Sequence, residues 1–408
     1  MAKASQGTAT LERASSWRSV PLLLFAVGSP SCTATAEFVE EQPGDPLPGL
    51  TETELGAFRL GRALFQREFT ESEGLGPLFN QRRCVSCHDL PASGGFGAEP
   101  VTKASRFDPA TGCDPLNAAG GDLLQFLVTE PLRAAGGAPE RRPPDATHMA
   151  DIFPLPLFGM GMVEAVAEET ILALADPEDS DGDGISGRPG FDGAGALARF
   201  GFKATHARVR DFAEDAFRLE MGLTTSGHPY EELPNGMPLP AGTDPTAEPE
   251  LADSVLEAVA AYVRFLAPPA RRTESDADRT AEGERLFTEI GCTSCHVPVM
   301  MTSAPGRDSA TDRLAFAEKA FRPYSDFLLH DMGPELAGPC AGGAAPSEWR
   351  TTPLMGLGYR FQYLHDGRVQ RVEDAVLLHG GEASAARDRF QELNRLGRDL
   401  VLAFLASL

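Results

Sequence analysis

The chain has 408 residues, a formal net charge of −23 and 42% hydrophobic residues, enough for a sizeable core and too many for whole-chain disorder. No run of about 18 apolar residues occurs, which excludes a polytopic membrane protein. The excess of carboxylates makes the chain a poor holder of nucleic acid, whose phosphates must be neutralised, and suits solubility or the attraction of a basic partner.

In chain order, Lys3, Arg13 and Arg18 come first, then the apolar run Val20 to Gly28, then small residues ending Ala34-Thr35-Ala36. This order predicts a secretory signal over residues 1–36, cut after Ala36, and a periplasmic location. The alternative is a lipoprotein anchored through Cys32, against which Pro30 speaks. Next, Thr51-Glu52-Thr53-Glu54 predicts a capped helix that runs through Gly61-Arg62-Ala63-Leu64-Phe65.

Cys84-Val85-Ser86-Cys87-His88 follows, and Cys292-Thr293-Ser294-Cys295-His296 matches it later in the chain. Each is the attachment signature of a c-type haem. Two thiols spaced this way reach the two vinyl groups of one porphyrin, and the adjacent His supplies an axial nitrogen to the iron. One such pair alone could be a redox couple or half a zinc site. A His after both pairs, in an exported chain, points to two covalent haems. Of the seven cysteines, Cys113 and Cys340 remain to pair in an oxidising compartment, provided the fold brings them together.

The chain repeats itself. Gly283-Glu284-Arg285-Leu286-Phe287 stands before the second motif as residues 61–65 stand before the first, after a helix start at Thr280-Ala281-Glu282. Val255 to Leu266 and Asp399 to Leu408 carry apolar residues at helical spacing and form a closing helix for each half. The reading is a mostly α chain with two cytochrome c-like domains: residues 50–268 for haem 1 and 274–408 for haem 2, divided at Pro268-Pro269-Ala270. The first domain carries a long loop-rich insertion, with Pro- and Gly-rich loops over 94–148 and 224–248.

Within the insertion, Asp179, Asp181, Asp183 and Gly184 place oxygen ligands as in the first half of an EF-hand loop, so calcium is a candidate ligand. Position 12 of that loop is Gly190, and Asp192 could close it instead. A solvated acidic turn is the alternative.

Several stretches together resemble the di-haem oxidoreductase family, related to the bacterial dihaem cytochrome c peroxidases. They are Phe69-Thr70, Gly74-Leu75-Gly76-Pro77 and Phe79-Asn80 before Cys84; Asp181 to Pro189; Arg199-Phe200-Gly201-Phe202-Lys203-Ala204; and His379-Gly380-Gly381-Glu382. The resemblance covers roughly residues 50–408. It implies divided labour: one haem relays electrons and the other offers an open iron position to hydrogen peroxide.

In the related peroxidases a His-x-Gly turn precedes the distal ligand of the second haem. Here the turn is His365-Asp366-Gly367, and the family spacing lands on His379, so haem 2 would be held by His296 and His379. The alternative role for His379 is to cap the helix Val372–Leu378. Haem 1 has His88 and no distal His where the family places one; the remote candidates are His148, His206, Met160 and Met162. The resemblance also implies a Glu for proton transfer, and Leu157 to Glu164 looks like the segment that carries it. An isolated carboxylate in this apolar, Gly-flexed stretch would suit the role. Glu168 and Glu169 are rivals, and a helix-N-terminal role for Glu164 is the alternative.

Two family features differ. A Thr that helps hold a calcium between domains is replaced by Arg360, and the inter-haem Trp of the first domain is missing. Trp349, Tyr359 and Tyr363 are left as relay candidates. The expected function is peroxide reduction at haem 1 with electrons relayed through haem 2 from a small donor protein of the cytochrome c or cupredoxin type. A dihaem electron carrier without substrate, or a dihaem enzyme that modifies or oxygenates another molecule, are the alternatives.

Overall fold

In the computed structural model, which describes residues 38–272, 276–306 and 312–408, the first helix opens at Thr51. The predicted signal segment and Cys32 lie outside the described residues. Thr51 accepts from the Glu54 amide, and the Glu54 carboxylate accepts from the Thr51 amide, so two of the helix's orphan donors are satisfied. The described residues hold ten α-helices: α1 Glu52–Gln66, α2 Glu130–Ala134, α3 Met160–Glu164, α4 Glu168–Leu172, α5 Val209–Met221, α6 Asp253–Phe265, α7 Ala277–Glu289, α8 Val372–Leu377, α9 Ser384–Glu392 and α10 Arg395–Ser407. The expected start of α7 at Thr280 is corrected to Ala277, because Asp276 caps the helix by accepting from the Arg279 amide.

The description "mostly α" is too strong. Twelve short strands and much irregular backbone accompany the helices, as 42 Gly and 33 Pro require. The expected loops over 94–148 are in part an antiparallel sheet. Val101–Asp108 is its central strand, paired with Leu123–Leu124, with His148–Ile152 and, through a hairpin, with Gly112–Asp114. The stretch Val101-Thr102-Lys103-Ala104 begins with two β-branched residues, and Gly112 adopts φ +82° at the turn. Cys113 of this sheet forms a disulfide with Cys340, with Cα atoms 5.8 Å apart.

The repeat becomes two matched helix crossings. A Cβ on Gly61 of α1 would lie 2.0 Å from the Ala258 carbonyl of α6; one on Gly283 of α7 would lie 2.1 Å from the Leu400 carbonyl of α10. Glycine at the same place in each repeat therefore lets the paired helices touch backbone to backbone. Four residues on, Phe65 and Phe287 fill equivalent positions. Phe65 packs 5.2 Å from Tyr262 and 6.2 Å from His88, and Phe287 packs 5.3 Å from Phe404 and 6.1 Å from His296 (ring centroids). The larger core surrounds the first crossing and also takes in Phe316, Phe321 and Phe327, so packing continues past Pro268. A smaller core of Phe287, Tyr324, Phe390, Phe404 and Leu405 surrounds the second.

Candidate functional site

Each Cys-x-x-Cys forms a single 3-10 turn, Cys84–Ser86 and Cys292–Ser294, lying beside its helix crossing. The four thiols form no disulfide. Burial pushes Cys84, Cys87 and Cys292 up to about 12, and Cys295 up as well. A redox-active pair needs the opposite, a stabilised thiolate.

Three imidazoles share one arrangement. Nδ1 of His88 lies 2.8 Å from the Gly95 carbonyl, Nδ1 of His296 lies 2.8 Å from the Tyr324 carbonyl, and Nδ1 of His379 lies 2.8 Å from the Ala375 carbonyl. A carbonyl only accepts, so Nδ1 must carry the proton and the lone pair sits on Nε2. That is the tautomer and orientation an iron ligand needs. The donor set, two thiols and one oriented imidazole per turn, fits a covalently attached haem at each.

Around the second turn the rings come in a pair. Burial, with the nearby charge of His379 adding to it, pushes His296 down to about 4. His379 follows α8, and its Nδ1 caps that helix through Ala375. Capping and ligation are therefore compatible roles, since the cap uses one nitrogen and aims the other. His330 is buried beside them, with Nδ1 2.7 Å from Glu382 Oε2, Nε2 2.9 Å from Asp326 Oδ2, and Cys295 Sγ 3.8 Å away.

Of the three imidazoles oriented in this way, one, His88, belongs to the first turn. The groups that act on His88 are burial, which lowers its pKa, the Gly95 and Leu155 carbonyls, and Asp89. The remote candidates have other contacts. His206 sits between Thr205 and Asp215, His148 Nδ1 meets the Thr147 hydroxyl, Met160 is partly buried against the core, and Met162 is fully buried in it. The stretch before Glu164 is tied to the His88 loop by Leu157 N to Gly94 O (2.8 Å), and to the His-x-Gly turn by Phe153 N to His365 O (2.9 Å). A Cβ on Gly161 would lie 1.9 Å from the Arg264 carbonyl, so this stretch presses directly on α6.

Glu164 is buried but not isolated, which corrects the expectation. Its Oε2 accepts from Arg264 Nε at 2.5 Å, and its Oε1 accepts from the Val209 amide at 3.1 Å, at the start of α5. Glu164 thus closes α3 and sits at the N-terminal end of α5, where a helix dipole favours a carboxylate. Arg199, itself buried, donates to the carbonyls of Val163, Glu164 and Val166 and holds the end of α3. The rival Glu168 is largely exposed, 4.0 Å from Arg199. Arg264 was hidden in the sequence among the apolar residues of α6; a charge within the closely spaced apolar residues from Ala258 to Phe265 was the available signal. Glu220 was also missed. Burial pushes it up to about 7, and its charge acts on Cys84 and Cys87.

The other candidates divide. Asp179, Asp181 and Asp183 each offer a carboxylate oxygen within 4.8 Å of the others. Asp192 instead accepts from the amides of Ala194 and Ala196 and shapes its own turn. Trp349 is buried, donates to the Leu336 carbonyl, and is sandwiched between His365 (3.8 Å between centroids) and the Lys203 ammonium (3.5 Å from the ring centroid). A cation on an indole face opposes removal of an electron from it. Arg360 lies 5.9 Å over the Tyr363 ring. Among the described residues no helix is long and apolar enough to cross a membrane.

The family described as "Di-haem oxidoreductase, putative peroxidase" matches residues 144–408. That span holds the second motif, His379, Glu164 and the Asp loop; the first motif lies before it. No curated protein matches the sequence. Among solved structures, the chain is similar to a MauG-like protein associated with microbial copper homeostasis, at 13% identity over 91% of this chain and 93% of that one, with a TM-score of 0.38. It is similar to the diheme peroxidase BthA from Burkholderia thailandensis E264, at 16% identity over 91% and 92%, with a TM-score of 0.35. It is also similar to hydrazine synthase of Kuenenia stuttgartiensis, at 18% identity and a TM-score of 0.26, over 40% of this chain and 57% of that one.

Proposed function

We propose, for a chain that belongs to the di-haem oxidoreductase family, that it binds two c-type haems covalently and reduces hydrogen peroxide at the first of them. The observation that carries this reading is the asymmetry of the oriented imidazoles: two near the second turn, one at the first. Cys84, Cys87 and His88 would hold haem 1, and Cys292, Cys295, His296 and His379 would hold haem 2. When bound, haem 2 supplies one-electron transfer and haem 1 supplies a coordination position for peroxide.

The chain's own residues supply the proton handling. Peroxide must lose a proton from its near oxygen and gain one at the leaving oxygen; with two electrons and two protons overall it departs as two waters. Glu164 is the group we assign to this transfer. Its carboxylate is held by Arg264 and the Val209 amide at fixed geometry, and the tie from Leu157 to Gly94 keeps its stretch against the loop of His88. The electrons would come from a small cytochrome c or cupredoxin donor in the periplasm, where the N-terminal signal directs the chain. Calcium held by Asp179, Asp181 and Asp183 would be structural, and a chelator should then lower the melting temperature.

The test is the electron paramagnetic resonance spectrum of the ferric, haem-loaded protein, followed by peroxide turnover. A high-spin signal beside a bis-imidazole low-spin signal, with turnover, is expected. Two low-spin signals that persist on half-reduction would overturn the reading in favour of an electron carrier.

A further inference from the structure

His379 belongs to a segment that is fastened three residues later, at Glu382. Glu382 Oε1 accepts from the Ser186 hydroxyl at 2.7 Å and from the Asp331 amide at 3.1 Å. Oε2 accepts from His330 Nδ1 at 2.7 Å and from the Ser186 amide at 3.1 Å. One carboxylate thus joins three segments: the Asp-rich loop, the strand Leu329–Asp331 and the turn that carries His379.

The His330 contact is of the strong kind. Each ring nitrogen faces a carboxylate, Glu382 on one side and Asp326 on the other, and a carboxylate accepts only. Both nitrogens therefore carry protons, and the ring is an imidazolium in two charge-assisted bonds. The backbone leaves no slack either. Gly381 has φ +51°, and a Cβ there would lie 2.0 Å from the Asp331 carbonyl, so the turn lies flat against the strand. By contrast, the other end of the segment hangs on α8, a six-residue helix, and short helices have little stability of their own.

We propose that Glu382 is a positioning residue: it locks the His379 segment onto Ser186 and His330, and so keeps His379 in place as the sixth ligand of the second haem. This rests on the reading above, in which His379 is that ligand. The function of the lock is to keep haem 2 closed to outside ligands, which reserves it for electrons and leaves peroxide to the first site.

The experiment is a cyanide titration of the ferric, haem-loaded full chain, read by absorbance and electron paramagnetic resonance. The unaltered protein should bind one cyanide, at haem 1, and retain its bis-imidazole signal. Glu382→Ala should bind a second cyanide at least about tenfold more tightly than the unaltered protein does, consistent with the loss of hydrogen bonds to a charged group. Its bis-imidazole signal should be replaced, while the haem 1 signal stays as an internal check on folding. Glu382→Gln should recover part of the protection. Glu382→Ala with one cyanide and an unchanged low-spin signal would overturn the lock while leaving His379 as ligand. An unaltered protein without a bis-imidazole signal would overturn both. If Glu382→Ala does not accumulate, Ser186→Ala loses the 2.7 Å bond alone; a smaller tightening of cyanide at haem 2 is expected, and none would count against the lock.

Discussion

The two halves of this chain share a scaffold and differ in what faces it. In each, a glycine lets two helices cross in backbone contact, a Phe four residues on packs toward a motif His, and that His gives its Nδ1 proton to a carbonyl. The glycine, the Phe and the motif His come from repeated sequence, whereas the carbonyls, Gly95 and Tyr324, stand at different places in the two halves. The opposite side is not repeated. The second half brings in His379 on a short turn pinned by Glu382; the first brings in the stretch ending at Glu164, paired with Arg264. A duplicated unit can thus fix the attachment of two cofactors while the segments between the repeated parts set what each one does.

Changes at six places would break or sharpen this comparison. The largest effect is expected from replacing Cys84 and Cys87 together by Ser, against replacing Cys292 and Cys295 together by Ser. Each should cost the chain one covalent haem, and the intact mass, together with the spectrum that survives, should tell the two sites apart. Next is Glu164→Gln. Loss of a proton-transfer group should slow peroxide turnover by about 10²–10⁴-fold with haem 2 unchanged; a rate within a factor of two would remove Glu164 from the mechanism. Its partner offers a structural control, because Arg264→Met leaves a buried carboxylate without its counter-charge and should cost about 3–5 kcal/mol of stability by denaturant titration.

The disulfide ties the insertion of the first half to the second across 227 residues of chain. Replacing Cys113 and Cys340 together by Ser should cost about 2–5 kcal/mol, visible as a lower melting temperature with both haems retained. The pH dependence of the Glu382–His330 cluster sharpens the contrast further. Burial raises Glu382, but the bonds from His330, Ser186 and Asp331 outweigh it and hold Glu382 at about 2. Its stabilisation is therefore present above the ordinary Glu value and lost as pH falls from about 4.5 to about 2. His330 is raised to about 12: burial opposes this, and the contacts with Asp326, Cys295 and Glu382 overcome it. Its stabilisation is complete below the ordinary His value, about 6.5, and declines as pH rises toward 12. Stability from this cluster should thus peak between about pH 4.5 and 6.5, and Glu382→Ala should flatten that peak in melting temperature.

The smallest effect is expected at the helix caps. Thr51→Ala opens α1 and Asp276→Ala opens α7, and each should cost about 1 kcal/mol. Equal losses would support equivalent scaffolds in the two halves.

Much of this was legible residue by residue. Helices α1, α6, α7 and α10 lie within a few positions of where capping residues and apolar spacing place them, because both signals act over a turn or two of chain. The strand Val101–Asp108 was not, because Pro and Gly nearby mask it and its partners, up to His148–Ile152, lie far along the sequence. The spacing of the His-x-Gly turn pointed to His379, and its place after α8 pointed to a cap, yet its fastening through Glu382 was invisible.

By itself, then, the sequence determined the two Cys-x-x-Cys-His turns and the twofold repeat, since these motifs and the Gly–Phe helix pattern are local and depend only on neighbours in the chain. The tertiary structure decided the rest: that Cys113 meets Cys340, that Glu164 has Arg264 for a partner, and that Asp326, His330 and Glu382 share one buried site with Ser186. These are pairings of charged and reactive groups across tens to hundreds of residues. Charge and reactivity are carried by each residue alone, but what they do depends on distance, and distance between remote positions exists only once the chain has folded.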